Sequence, residues 1–355
     1  MAAASASAST GFGNLTTSTL PSLHANFGTT MITLGRFASA GKLRASATSP
    51  MAVVETVSPE VTVDEVGRSI GAGQSLLSCP ICFERLTLVD GSGSSGDSVS
   101  KTTLLCETCK KEYGGPESHL DLTVSSGTKV YGEALALSTE FFRFPLISYL
   151  YERGWRQSFS VWGGFPGPEK EFDLMKGFMK PVLGGTIVDA SCGSGLFSRL
   201  FAKSGLFSLV IALDYSESML KQCYDYARQE ENFPKEKLLL VRADISRLPF
   251  ASRSINAVHA GAALHCWPSP STAVAEINRV LRPGGVFVAT TYLLDGPFSL
   301  IPFLRPLRQN IVQVSGSHVF LGEQELEDLC RACGLINFKC VRNRRFVMIS
   351  ATKPS

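Results

Sequence analysis

The stretch Ile187-Val-Asp-Ala-Ser-Cys-Gly-Ser-Gly195, running on into Leu196-Phe-Ser-Arg-Leu-Phe201, decides how this chain folds. An apolar run ends in two closely spaced glycines and a helical pattern starts at once, which describes a buried strand turning sharply into a helix. Glycine permits the turn and lets a ligand approach the backbone, and the free N–H groups of the helix's first turn favour an anion. Outward from here, strands alternate with helices at Thr186–Ser191, Leu209–Asp214, Leu238–Asp244, Ile255–Gly261 and Gly285–Tyr292. A terminal strand pair follows at Asn337–Val341 and Phe346–Ala351, after a helix over Glu323–Gly334. The alternation predicts an α/β fold with a parallel sheet and crossover helices.

Acidic residues mark the strand ends. A Gly-x-Gly turn alone is weak evidence, and the dinucleotide fingerprint wants a third glycine where Ser198 stands. Asp189 precedes the glycines, where a carboxylate can organise the turn and meet an ammonium; it would repel a pyrophosphate. Asp214 closes Ile211-Ala-Leu-Asp214, with two oxygens for the hydroxyls of a ribose. Asp244 closes Val241-Arg-Ala-Asp244, placed to accept from an adenine amine, with the Ile245 N–H available to a ring nitrogen. Ribose, adenine and an amino-acid head group together describe S-adenosylmethionine (SAM).

With these motifs in place, Val188 to Ala289 resembles the class I SAM-dependent methyltransferases, in the broad group that includes the ubiquinone and menaquinone C-methyltransferases. Ala260-Gly-Ala-Ala-Leu-His-Cys-Trp267 resembles the family's pattern after strand four, and Glu276-Ile-Asn-Arg-Val-Leu-Arg-Pro-Gly-Gly285 its helix-turn-strand signature. The resemblance implies a Rossmann-like sheet of seven strands with the last pair antiparallel. It implies a cofactor site built from Asp189, Gly193, Gly195, Asp214, Tyr215, Met219, Asp244, Ile245 and Gly261. A side chain at Gly193 or Gly195 is expected to run into the cofactor. His265, past strand four, faces the acceptor side, as a general base or as a group that hydrogen-bonds and shapes the pocket. Trp267 reads as a pocket wall or packing residue.

Four of the ten cysteines form two Cys-x-x-Cys knuckles, Cys79-Pro-Ile-Cys82 and Cys106-Glu-Thr-Cys109. Two thiolates from each complete the tetrahedral shell that Zn²⁺ prefers. Strands at Arg85–Val89 and Thr102–Leu105, joined by the flexible tip Gly91–Gly96, make this a zinc ribbon over residues 76–125. Cys330 and Cys333 share the spacing but have no second pair and lie in a helical pattern, so they read as buried helix thiols. A zinc site ahead of this core resembles bacterial 23S rRNA guanine-N1 methyltransferases. The whole organisation resembles plant plastid methyltransferases of unassigned substrate.

Across its 355 residues the chain is 44% apolar and 18% charged, with 34 basic and 31 acidic residues and a formal charge of +3. Residues 1–54 hold no Asp or Glu but carry Arg36, Lys42 and Arg44, so the remainder balances at 31 of each. Acid-poor and rich in Ser, Thr and Ala, this segment reads as a plastid transit peptide and linker. Between Leu76 and Ser125 four basic residues face seven acidic ones, a poor footprint for phosphate, so nucleic acid is a disfavoured partner. No run of 18 apolar residues suggests a transmembrane helix.

The expected domains are residues 1–54, the ribbon at 76–125, a helical and aromatic segment at 130–180, and the core at 181–355. The aromatic stretch Phe141–Phe165 and the apolar insertion Leu293–Gln313 suit a hydrophobic small-molecule acceptor such as a prenylquinone, or peripheral contact with a lipid surface; equally, they roof the core. The expected function is SAM-dependent methyl transfer in the chloroplast, in the stroma or at plastoglobules or thylakoids. The alternatives are rRNA base methylation and a non-catalytic, lipid-associated SAM-fold protein.

Overall fold

The computed structural model describes residues 73, 75–89, 103–131, 163–293 and 321–355. Residues 1–54, expected to be a transit peptide, the Gly91–Gly96 tip, the helical and aromatic segment expected over 133–156 and all but the first residue of the Leu293–Gln313 insertion lie outside the described residues.

The expected alternation is present. Parallel strands β5 (Thr186–Ala190), β6 (Leu209–Asp214), β7 (Leu238–Arg242), β8 (Ile255–Ala260) and β9 (Leu281–Tyr292) are joined by β10 (Ile336–Asn343) and β11 (Phe346–Thr352). Both terminal strands run antiparallel, β10 to β11 and β11 to β9. Pro283-Gly284-Gly285 lies inside β9, with a register shift opposite Ile255 to Ala257, where a turn was expected.

The sheet has eight strands among the described residues, ordered β10-β11-β9-β8-β5-β6-β7-β4. The strand beyond the expected seven is β4 (Leu120–Asp121), a two-residue piece of the cysteine-rich segment that pairs parallel with Val241 and Arg242. Ahead of it, β1 (Thr87–Val89), β2 (Thr103–Cys106) and β3 (Lys111–Tyr113) form a separate antiparallel sheet.

Side chains alternate between the faces of the large sheet, as a strand period of two requires. Ile187, Val210 and Ala212 pack against α1 (Pro168–Met179), α2 (Leu196–Ser204) and α3 (Glu217–Gln229). Val188, Ile211 and Leu213 face the other way, in one cluster with residues of α4 (Pro270–Val280) and α5 (Glu323–Ala332) and with Leu77, Leu86, Leu104, Tyr113 and Leu122 of the cysteine-rich segment. Strands buried on both faces read as continuous apolar runs, which is how β5 to β8 appear in the sequence. Ser216 caps α3 by accepting from the Met219 N–H, and Ser269 caps α4 by accepting from Thr272.

Candidate functional site

Between the parallel neighbours β5 and β8 the chain reverses its direction of travel across the sheet, and ligands of open α/β sheets bind in the crevice at that point. The turn after β5 sits there. Ser191, Gly193 and Gly195 take left-handed backbones, with φ of 57°, 57° and 79°. The Gly193 N–H donates to Asp214 Oδ2 at 2.8 Å, and the Ser216 N–H donates to Asp214 Oδ1 at 2.8 Å. Asp214 thus ties the glycine turn to the loop after β6, where the Tyr215 N–H is a further backbone donor to it. Burial raises the Asp214 pKa above the usual carboxylate range, opposed by these backbone donors.

Asp189, the residue expected to organise the turn and meet an ammonium, is bonded on both carboxylate oxygens within the protein. The residue is 2% exposed, its Oδ1 lies 2.7 Å from His259 Nδ1, and its Oδ2 accepts from Ser198 Oγ at 2.5 Å. Both oxygens are engaged inside the core, holding β5 to β8 and to α2. Gly195 also has a close neighbour within the protein. A Cβ there would stand 2.0 Å from Cys223 Sγ, so the glycine makes room for α3 whatever it does for a cofactor. Gly261 is similar: a Cβ would meet His259 Cε1 at 2.9 Å and the Phe197 ring at 3.1 Å.

Asp244 lies in the loop just past β7, where Oδ1 accepts the Ser246 N–H at 2.8 Å. Ile245 and Met219 are buried and apolar, and Tyr215 lies under the Arg242 guanidinium, 5.3 Å from its ring centroid. His265 sits on a short 3₁₀ turn after β8, 6% exposed, with Nδ1 3.0 Å from Thr291 Oγ1 and its ring edge-on to Tyr292 at 5.4 Å. Trp267 Nε1–H donates to Ser191 Oγ at 2.9 Å, so it braces the glycine turn.

The four knuckle cysteines converge, their sulfurs all within 4.8 Å of one another. Cys82 and Cys106 Sγ are 3.5 Å apart, and Cys79 and Cys109 Sγ 4.0 Å. Thiolates at about 2.3 Å from a tetrahedral zinc stand about 3.8 Å apart, so the spacing fits that ion. The Ile81 and Cys109 N–H groups point at Cys79 and Cys106 sulfurs at 3.4 and 3.3 Å. The residue after each knuckle, Phe83 and Lys110, has a left-handed φ of 62° and 53°. Burial raises the Cys79 thiol, but the Tyr113 hydroxyl and the Cys82 and Ile81 N–H groups outweigh it and bring it down to about 7. Held as thiolates, four sulfurs this close would need a cation to offset their charge.

A family model described as a methyltransferase domain matches residues 188–289. An Arabidopsis thaliana chloroplastic protein, named only as an uncharacterized methyltransferase, is 66% identical over 284 residues, covering 79% of this chain and 80% of that one. The chain belongs to the class I SAM-dependent methyltransferases. A second chloroplastic Arabidopsis methyltransferase without a named substrate is 45% identical over 308 residues, 86% of each chain. A demethylmenaquinone methyltransferase of Staphylococcus aureus (strain JH9) is 29% identical over 176 residues, 45% of this chain and 70% of that one.

Sequence reasoning missed several residues that position this methyltransferase's loops: His259, Ser198, Cys223, Arg242 and Arg247. A signal existed for the first. Asp189 and His259 are polar residues at fully buried positions of two mainly apolar strands, and a buried charge needs a partner.

Proposed function

We propose that the methyltransferase holds SAM across the C-terminal ends of β5, β6 and β7 and methylates an apolar small molecule of prenylquinone type in the chloroplast. The observation that carries the reading is the Gly193–Asp214 hydrogen bond, which joins the glycine turn to the ribose acid at the sheet's switch point. Asp214 offers its carboxylate to the ribose, Asp244 and the Ile245 N–H address the adenine, and Tyr215, Met219 and Ile245 supply the surrounding wall. Gly193 lets the backbone approach, while Asp189, Gly195 and Gly261 keep the turn, α2 and α3 in place. A structural Zn²⁺ is held by Cys79, Cys82, Cys106 and Cys109.

When bound, SAM supplies an electrophilic methyl on a sulfonium, so in-line approach is the main demand on the protein. Orientation is what the residues at the ends of β8 and β9 provide. His265 is fixed between Thr291 and Tyr292, and Tyr292 in turn packs on Phe165 at 4.7 Å. Phe165 is the last residue of the aromatic stretch that precedes the core, so that stretch ends beside His265. A hydrophobic acceptor suits this wall, and the apolar substrate class of the staphylococcal relative and the acidic ribbon support it over RNA. For an acceptor that must lose a proton His265 is the group to receive it; otherwise it shapes the pocket. The two chloroplastic relatives and the acid-free segment 1–54 support a plastid location, in the stroma or against plastoglobule or thylakoid lipid.

Titration calorimetry with SAM tests the cofactor, and no binding at millimolar SAM would refute the reading. Transfer of labelled methyl from SAM into lipid, RNA and protein fractions of plastids tests the acceptor. Label in the lipid fraction is expected. Label confined to rRNA would replace the acceptor class, and binding of SAM without label anywhere would point to a non-catalytic protein.

A further inference from the structure

The first cysteine knuckle is fastened to the loop that follows β7, the loop of Asp244 and Ile245. Arg247 reaches from that loop to the knuckle backbone, donating Nε–H to the Pro80 carbonyl at 2.7 Å and Nη2–H to the Ile81 carbonyl at 2.9 Å. Its own N–H donates to the Asp244 carbonyl at 3.0 Å, so it belongs to the turn that Asp244 opens. Phe83, just after the knuckle, lies against two core guanidiniums, its ring centroid 5.3 Å from Arg247 and 4.1 Å from Arg279. Arg279 in turn donates to the Leu248 and Phe250 carbonyls at 2.7 and 2.8 Å.

The next residues of both segments continue the attachment. Leu77 bridges Phe250, the Ser78 N–H donates to Pro249 at 2.9 Å, and the Ala251 N–H donates to Leu76 at 2.9 Å. A second attachment lies at β4. Asp121 pairs with Arg242 at 2.9 Å, and Arg242 donates Nε–H to the carbonyl of Tyr215 at 3.1 Å, in the loop of the ribose acid. Both loops assigned to the nucleoside are thus held from the cysteine-rich side.

Phe83 is the informative residue. A bulky aromatic at φ 62° is a backbone outlier, where glycine would sit without cost. Such strain persists only where surrounding contacts fix it; inside the knuckle the Phe83 N–H donates to the Cys79 carbonyl at 2.8 Å, and outside it the ring is held by Arg247 and Arg279.

We propose that Arg247 and Phe83 are positioning residues that couple occupancy of the four-cysteine site to SAM affinity. A knuckle closed on its metal presents the Pro80 and Ile81 carbonyls and the Phe83 ring in fixed positions, and these set the Asp244 turn through Arg247. This rests on the SAM and zinc assignments above. Coupling between sites is reciprocal, so a metal that tightens SAM must itself be held tighter by SAM, by the same factor.

The test uses the full zinc-loaded chain, with SAM affinity by calorimetry, zinc content by elemental analysis and zinc release to a colorimetric chelator with and without SAM. In the parent chain SAM should slow zinc release, and zinc removal should weaken SAM about fivefold or more, the lower end of ordinary coupling. Arg247→Ala, on an exposed side chain, and Phe83→Gly, which relieves the left-handed φ, should both keep stoichiometric zinc. Each should lose SAM affinity by a similar factor, and SAM should no longer slow zinc release. Arg247→Lys, with one donor group for two carbonyls, should recover only part of the affinity. Zinc-loaded variants that bind SAM as the parent does, or a parent chain that holds no zinc, would overturn the coupling. A parent chain that binds no SAM refutes the proposed function instead.

Discussion

Two regions of the molecule carry the same Cys-x-x-Cys spacing and use it in opposite ways. In the cysteine-rich segment, each pair sits on a knuckle whose next residue has a left-handed backbone, Phe83 or Lys110, and the four sulfurs gather within 4.8 Å. In α5, Cys330 is 1% exposed and pushed up to about 12 by burial, while Cys333 caps the helix with its Sγ 3.4 Å from the Ser271 carbonyl. Spacing brings two thiols within reach of each other; the backbone decides whether they face one point. A knuckle turns both sulfurs inward, whereas a helix directs one to the core and the other toward its rim.

The largest expected effect comes from breaking the knuckle side. Cys106→Ser should abolish stoichiometric zinc and cost more than about 4 kcal/mol in chemical denaturation, because structural zinc contributes its binding free energy to folding. Undiminished zinc would leave the ribbon thiols no different in kind from those of α5. Next comes a core thiol that acts purely as volume. Gly195→Ala should cost about 2–4 kcal/mol from overpacking on Cys223 and from a left-handed backbone. Adding Cys223→Ala should return the steric share and leave the backbone share, and a pair of strictly additive costs would show that the thiol is not the obstacle.

On the helix side, Cys330→Ala should cost about 1–2 kcal/mol, as a small cavity does, with zinc content unchanged. Smallest of all, Cys333→Ser should lie within about 0.5 kcal/mol of the parent. Zinc lost from either α5 variant would dissolve the distinction between the two regions.

The inner strands of the sheet were legible because they are buried on both faces and write largely apolar runs, β6 and β7 most clearly. β4 was not, since two residues, Leu120 and Asp121, carry no periodicity. At the site, the acids at the strand ends were legible as types but not in their bonding. Asp189 looks available in the sequence, yet its partners His259 and Ser198 are 70 and 9 residues away, and only the register of β5 against β8 brings His259 beside it. At Gly195 the need for a glycine was legible but the neighbour Cys223 was not, because it approaches from a helix whose packing angle no local pattern encodes. The Arg242 and Arg247 bridges depend on where the ribbon docks, and neither has a motif around it.

The sheet has two edges, and they are guarded differently. At one edge β10 exposes Lys339 and Arg342, charges that discourage another chain from pairing with it. At the other, the end of β7 is covered by β4, with Leu122 N–H donating to the Arg242 carbonyl at 2.9 Å. The Leu238-Leu-Leu-Val241 run behind that cover is buried and strongly apolar. Leu239 and Val241 share a buried cluster with Leu77, Leu104 and Leu122 of the cysteine-rich segment, so a core shortened to begin after residue 131 should expose these apolar side chains and unpair Val241 and Arg242, and aggregation through that edge is the expected outcome. On this reading, keeping the sheet soluble is an expected consequence of where the cysteine-rich segment packs.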